Sequence, residues 1–156
     1  MIVAILMRSI NPIQATNMKR IYLITLLLLT TSTMVFSQNG ADEEAIRTTL
    51  NYYLEGGTNN DFETLKKAFH STATMRYITN DGYKDVNALE FFGSRMKPGP
   101  KQDRQTEIVY VDVMGNAAHA KLIIKYQDFA FIDFMNLLKV DGEWKIVGKI
   151  FYRDNG

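Results

Sequence analysis

The chain has 156 residues, 18 Lys plus Arg against 17 Asp plus Glu, two His and no Cys. Length alone argues for one folded domain, and a net charge of +1 leaves no cation excess with which to neutralise nucleic-acid phosphates. Without Cys there are no disulfides, thiolate nucleophiles or cysteine-held zinc, and two His exclude a three-histidine metal site. No cofactor is implied.

Lys19 and Arg20 precede the apolar run Ile21–Leu29, which passes into a Thr/Ser-rich stretch ending Val35-Phe36-Ser37-Gln38. A basic start, an apolar core and small residues before the cut are the marks of a secretory signal. Residues 18–37 are therefore expected to form a cleavable signal peptide, cut after Ser37, with a periplasmic or secreted destination. The run is too short and too rich in Thr for a stable membrane anchor, which needs about 20 apolar residues. Residues 1–17, ahead of Met18, read as a mis-assigned start or an extension. Without the first 37 of 156 residues, 119 remain. That removal takes Arg8, Lys19 and Arg20 and no acid, leaving 15 bases against 17 acids, a net −2. No affinity for nucleic acid is expected of it.

Asp42-Glu43-Glu44 puts acids where a helix N-terminus favours them, and Ile46, Leu50, Tyr53 and Leu54 follow at helical spacing up to Gly56-Gly57. Asp61 caps a second, short helix carrying Phe62, Leu65 and Phe69 on one face. Thr72–Thr79 alternates as a strand and stops at Asn80-Asp81-Gly82. Asn87 to Glu90 forms a capping box, with Val86 placed to staple onto Phe91, so a third helix starts there. Gly93 and Lys97-Pro98-Gly99-Pro100 end it. Beyond that point the chain reads as strands: Thr106–Met114 and Ala117–Tyr126 around Gly115-Asn116, then Phe129–Val140 and Glu143–Arg153 around Asp141-Gly142. Helices first and long antiparallel strands afterwards imply an α+β domain, one curved sheet with helices on one side.

A two-residue loop fixes register, so each face can be written down. Around Asp141-Gly142, regular pairing sets Lys139 against Trp144, Met135 against Gly148 and Asp133 against Ile150. One face then carries Asp133, Met135, Leu137, Trp144, Ile146 and Ile150. The other carries Ile132, Phe134, Asn136, Leu138, Val147 and the outward-pointing Lys145 and Lys149. Around Gly115-Asn116 the inner face pairs Val113 with Ala118, Val111 with Ala120 and Val109 with Leu122. The outer face pairs Asp112 with His119 and Ile108 with Ile123, which makes His119 a surface residue. Phe134, Leu138, Ile132, Ile108 and Ile123 give that outer face an apolar character suited to a homodimer.

Asp133 is the lone carboxylate of the inner face. An apolar setting would raise its pKa and suit it to shuttle a proton or grip a ligand, or it could fix the core by bonding Tyr or backbone amides. His70, after Phe69, either caps the second helix or turns inward to form an acid/base pair with Asp133. Tyr53 brings a hydroxyl into the apolar stripe of the first helix, as core filler or ligand contact. Trp144 is core or pocket wall. Arg76 takes the outer face of the first strand and reads as solvated. No phosphate loop, nucleophile elbow or carboxylate pair is present.

The order of elements, with Ala68-Phe69-His70, Phe131-Ile132-Asp133-Phe134 and Leu137–Tyr152 (LLKVDGEWKIVGKIFY), resembles the nuclear transport factor 2-like superfamily and, within it, the putative lumazine-binding family. The resemblance covers residues 41–154 and implies a cone-shaped curved antiparallel sheet wrapped around three N-terminal helices. It also implies an interior pocket, frequent dimers packed through the sheet, and members that are either enzymes or binders. Isomerases of this fold use an inner Asp with a Tyr and a second acid; dehydratases use a His–Asp pair. Only one inner acid can be placed here. The reading is therefore an exported, non-enzymatic binder of an unidentified small molecule, with Asp133, His70, Tyr53 and Trp144 as ligand-binding candidates. The alternatives are a dehydratase- or isomerase-like enzyme using Asp133 and His70, and a dimerisation or interaction module. A cavity well below about 300 Å³ would favour the last.

Overall fold

The computed structural model describes residues 40–156. The expected signal segment, residues 18–37, and residues 1–17 lie outside them. Helix α1 is helical from residue 40 to 58 and α2 spans Phe62–Leu65, running into a 3-10 turn at Lys66–Ala68. Six strands follow, β1 (Phe69–Thr79), β2 (Gly82–Asn87), then after helix α3 (Ala88–Arg95) β3 (Gln105–Met114), β4 (Ala117–Lys125), β5 (Ala130–Val140) and β6 (Glu143–Asp154). They form one sheet in the order β2-β1-β6-β5-β4-β3, antiparallel except where β1 runs parallel to β6.

Local chemistry sets these elements. Asp61 accepts the Thr64 amide at 3.1 Å and its hydroxyl at 2.6 Å, satisfying donors that the first turn of α2 leaves free. Asn87 does the same for the Glu90 amide at the start of α3. The β5–β6 turn holds Asp141 and Gly142 at φ 52° and 85°, the double positive φ that Asp-Gly is suited to supply. Two elements differ from the sequence reading. Residues 82–87, read as turn and helix lead-in, form strand β2, whose exposed Tyr83 and Asp85 and half-buried Lys84 hide its pattern. The second helix is shorter than its apolar face implies, so Phe69 and His70 already belong to β1.

The core lies between α1 and the concave sheet face. Ile46, Leu50 and Leu54 of α1 and Leu65 of α2 pack on Met75, Leu122, Ile124, Met135, Leu137 and Ile146, all but fully buried. Each such side chain contributes roughly 1.5–3 kcal/mol through removal from water.

Both hairpins keep the expected register near their turns and lose it farther out. Between β5 and β6, Leu137 faces Ile146 but Asn136 faces Gly148, so Val147 is an extra residue in the ladder. A bulge of one residue inverts the faces beyond it, because side chains alternate with a period of two. Lys149 therefore points inward and pairs with Met135, whereas Ile150, expected inside, is 51% exposed. Asp133 stands opposite Phe151, not Ile150. The β3–β4 ladder has a similar irregularity at Val109: Ile108 takes the place across from Leu122 and packs on the core, and Val109 is exposed.

Candidate functional site

The inversion at Val147 brings a lysine to the fully buried carboxylate of Asp133. Asp133 is 0% exposed and Lys149 5%. The Tyr53 hydroxyl, on the inner stripe of α1, donates to Asp133 Oδ2 at 2.7 Å, and the Lys149 ammonium forms an ion pair with Oδ1, which no other donor reaches. Burial pulls the Lys149 ammonium below its ordinary value, against the Asp133 carboxylate, which favours the charged form. Burial, reinforced by the charge of Asp133, holds the Tyr53 phenol well above its usual range. Lys149 also lies over the rings of Phe151, 4.6 Å from its centroid, and Tyr53, at 5.5 Å.

Tyr53 and Lys149 open onto a cavity of about 230 Å³ beside the core. Its walls are chiefly apolar: Met75, Ile124, Phe91 and Phe92 of α3, and Phe131 and Phe151 of the sheet. The remaining wall comes from the segment between α3 and β3. There Arg104 donates to the Leu54 carbonyl at 3.0 Å, the Thr58 hydroxyl at 2.9 Å and the Tyr126 hydroxyl at 2.9 Å. Tyr126 in turn donates to Gln102, which bonds the Gly57 carbonyl. Arg104 and Gln102 thereby satisfy the Leu54 and Gly57 carbonyls near the C-terminal end of α1, and Arg104 occupies the space that Gly57 leaves open.

The four sequence-derived candidates separate. Asp133 and Tyr53 meet. Trp144 belongs to the core: its indole N–H donates to Asp42 at 3.0 Å, beside the Lys139–Asp42 ion pair, and its carbonyl accepts the Thr49 hydroxyl. It fastens α1 to the β5–β6 hairpin and lines no part of the cavity. His70 neither caps α2 nor reaches Asp133. As the second residue of β1 it alternates away from the core, its Nδ1 lies 2.8 Å from the Thr72 hydroxyl, and its neighbours include Val140, Asp141 and Lys145. The acid/base pair with Asp133 is not formed. His119, on the opposite sheet face, bonds Asn136 and stacks on Phe134. Arg76 pairs with Asp85 across the hairpin, still half exposed.

Lys149, Arg104 and Tyr126 went unread as site residues. Gly148, a residue often found at strand irregularities, is the sequence's hint of the bulge.

A fold with an interior cavity behind a curved sheet, helices against its concave side, and an inward Tyr–Asp pair is now in view. The family described as "Putative lumazine-binding" matches residues 41–152. The chain belongs to this family. Among solved structures, a nuclear transport factor 2-like (NTF2-like) protein of unknown function from Shewanella baltica OS155 is 30% identical, with a TM-score of 0.67 over 74% of this chain and 96% of that one. An NTF2-like protein of unknown function from Methylobacillus flagellatus KT is also 30% identical, with a TM-score of 0.64 over 72% and 92%. The association domain of C. elegans CaMKII, 18% identical, shares the fold at a TM-score of 0.58 over 76% and 98%. A comparison with curated proteins gives no match. The α+β fold expected from the sequence is thus the fold of this putative lumazine-binding, NTF2-like protein.

Proposed function

We propose that this is an exported protein that binds a small molecule non-covalently in the cavity behind the sheet, with the Tyr53–Asp133–Lys149 group as its polar anchor. The observation that carries the reading is the placement of a buried ion pair against an apolar cavity. Burying two charges is costly and adds little to stability compared with apolar packing, so such a pair argues for a role in recognition. At about 230 Å³ the cavity is below the usual drug-sized range of about 300–1,000 Å³, yet above the roughly 150 Å³ that accommodates a benzene ring. That size admits a compact ligand and excludes a drug-sized one. The family's description points the same way. An enzyme resting on Asp133 and His70 lacks its pair, since His70 faces Thr72.

Export follows from the Lys19–Ser37 segment, and association from the outer sheet face, where Leu138, Ile150 and Tyr152 are exposed. The test is mass spectrometry of protein purified from its own organism. Wild type is expected to begin at Gln38 and to release a retained small molecule that Asp133→Ala retains at least about tenfold less. Equal retention by both would remove Asp133 from the site.

A further inference from the structure

The charges around the cavity are unequal, and the inequality specifies a ligand. Two cationic side chains, Lys149 and Arg104, line it, and no carboxylate does. Asp133 is not part of the lining and is committed to Lys149 and Tyr53. Arg104 forms no ion pair among the described residues; its three contacts are a carbonyl and two hydroxyls, all neutral. Five N–H groups are available to a guanidinium, so two remain. With Asp133 and Lys149 offsetting each other, the site holds one uncompensated, half-buried positive charge.

Position supports the same conclusion. Arg104 fills the gap at Gly57, one helical turn beyond Tyr53, so the two side chains leave or meet α1 roughly 6 Å apart along its axis. It is near enough for its charge to weigh on both Lys149 and Tyr53. The walls between these polar points include the rings of Phe91, Phe92, Phe131 and Phe151; Phe92 and Phe131 lie tilted or edge-on to their aromatic neighbours, whereas Phe151 stacks on Tyr77 and Phe91 carries Arg95 over one face.

We propose that the cavity takes a small aromatic monoanion, its ring held by the four phenylalanines and its anionic group turned toward Arg104, with Lys149 supplying a second donor. This rests on the small-molecule reading above and adds the charge and class of the ligand. One negative charge brings the site to neutrality. A neutral ring would leave the arginine uncompensated, and a dianion would overshoot.

Isothermal titration of the full exported chain with benzoate and with benzamide, which match in ring and size but not in charge, tests it directly. Benzoate is expected to bind at least about tenfold more tightly than benzamide at neutral pH and low salt, since its hydrogen bonds would be charge-assisted on both sides. In Arg104→Gln, which keeps a donor for the Leu54 carbonyl, that preference is expected to fall to within about threefold. Should that variant not fold, the comparison in wild type still decides. Benzamide binding as well as benzoate would overturn the proposal and leave the small-molecule reading intact, as would an undiminished preference in a folded Arg104→Gln. Failure of both probes to bind would count against both.

Discussion

Asp133 is surrounded so that each of its oxygens has one partner, and the partners are not equivalent. The Tyr53 hydroxyl is neutral, so Tyr53→Phe leaves one carboxylate oxygen unbonded and should lower stability by about 1–3 kcal/mol in urea unfolding. Asp133→Ala strands a buried ammonium and should cost more, about 3–5 kcal/mol. Equal losses would contradict the assigned roles. Asp42 makes a prediction in acid. The hydrogen bond from Lys139, with that from Trp144, holds its carboxyl below the ordinary value of 3.8. The unfolded chain therefore takes up this proton first as pH falls, so the stability due to Asp42 is full above about pH 4 and is lost toward its lower folded value. Asp42→Asn should flatten the acid limb of a stability-versus-pH curve; an unchanged limb would dismiss the pairing. Of these residues, Asp133 and Tyr53 were legible because an acid and a phenol interrupt otherwise apolar stripes. His70 misled because a residue after an apolar helix face looks like a cap, whereas the chain has already turned into β1 there.

Strand bulges decide the site at the scale of elements. The Asp-Gly turn was legible because few residues tolerate its backbone angles, and it fixed the register correctly as far as Leu137 and Ile146. The extra residue at Val147 left only Gly148 as a hint, because a bulge changes spacing by one and leaves the apolar pattern otherwise untouched. Everything beyond it therefore moved to the opposite face, and a lysine that looked solvated became half of the buried ion pair. Strand β2 escaped for a related reason, since a short edge strand carrying a Lys and an Asp on its two faces resembles a loop. The packing of α1 on α2 is as constrained as the ladder. A methyl group at Gly56 would overlap the Leu65 backbone, which cannot yield as a side chain can. Gly56→Ala is accordingly expected to destabilise by about 1–3 kcal/mol, read as a lower midpoint of urea unfolding. A neutral effect would show that α2 can shift away without loss.

As a whole molecule, the domain has two faces with different tasks. The concave face is covered by α1 and borders the cavity. The convex face keeps Leu138, Ile150, Tyr110 and Tyr152 in solvent, more apolar surface than a freely solvated sheet usually carries. Light scattering of the wild-type protein is expected to give twice the monomer mass, and Leu138→Glu with Ile150→Lys to give the monomer without loss of ligand. A monomeric wild type would leave that face without an assigned partner. The curved α+β architecture was legible from element order, because successive hairpins pair antiparallel; the parallel place of β1 beside β6 was not. An interior pocket was implied by the resemblance, but its lining was not legible, since its walls combine α1, α3, the segment after α3 and the far ends of β5 and β6, which no local pattern connects.

On the proposed function, the buried Tyr53–Asp133–Lys149 group is kept for recognition and not for the fold. Urea unfolding of Tyr53→Phe/Asp133→Leu/Lys149→Met removes all three polar groups together and so separates the two roles. Replacing a buried ion pair with apolar groups of similar volume is often neutral or stabilising by about 1–4 kcal/mol, so the triple variant should be at least as stable as wild type. A loss of about 3–5 kcal/mol, matching that expected for Asp133→Ala alone, would contradict the claim and make the group a structural element of the core.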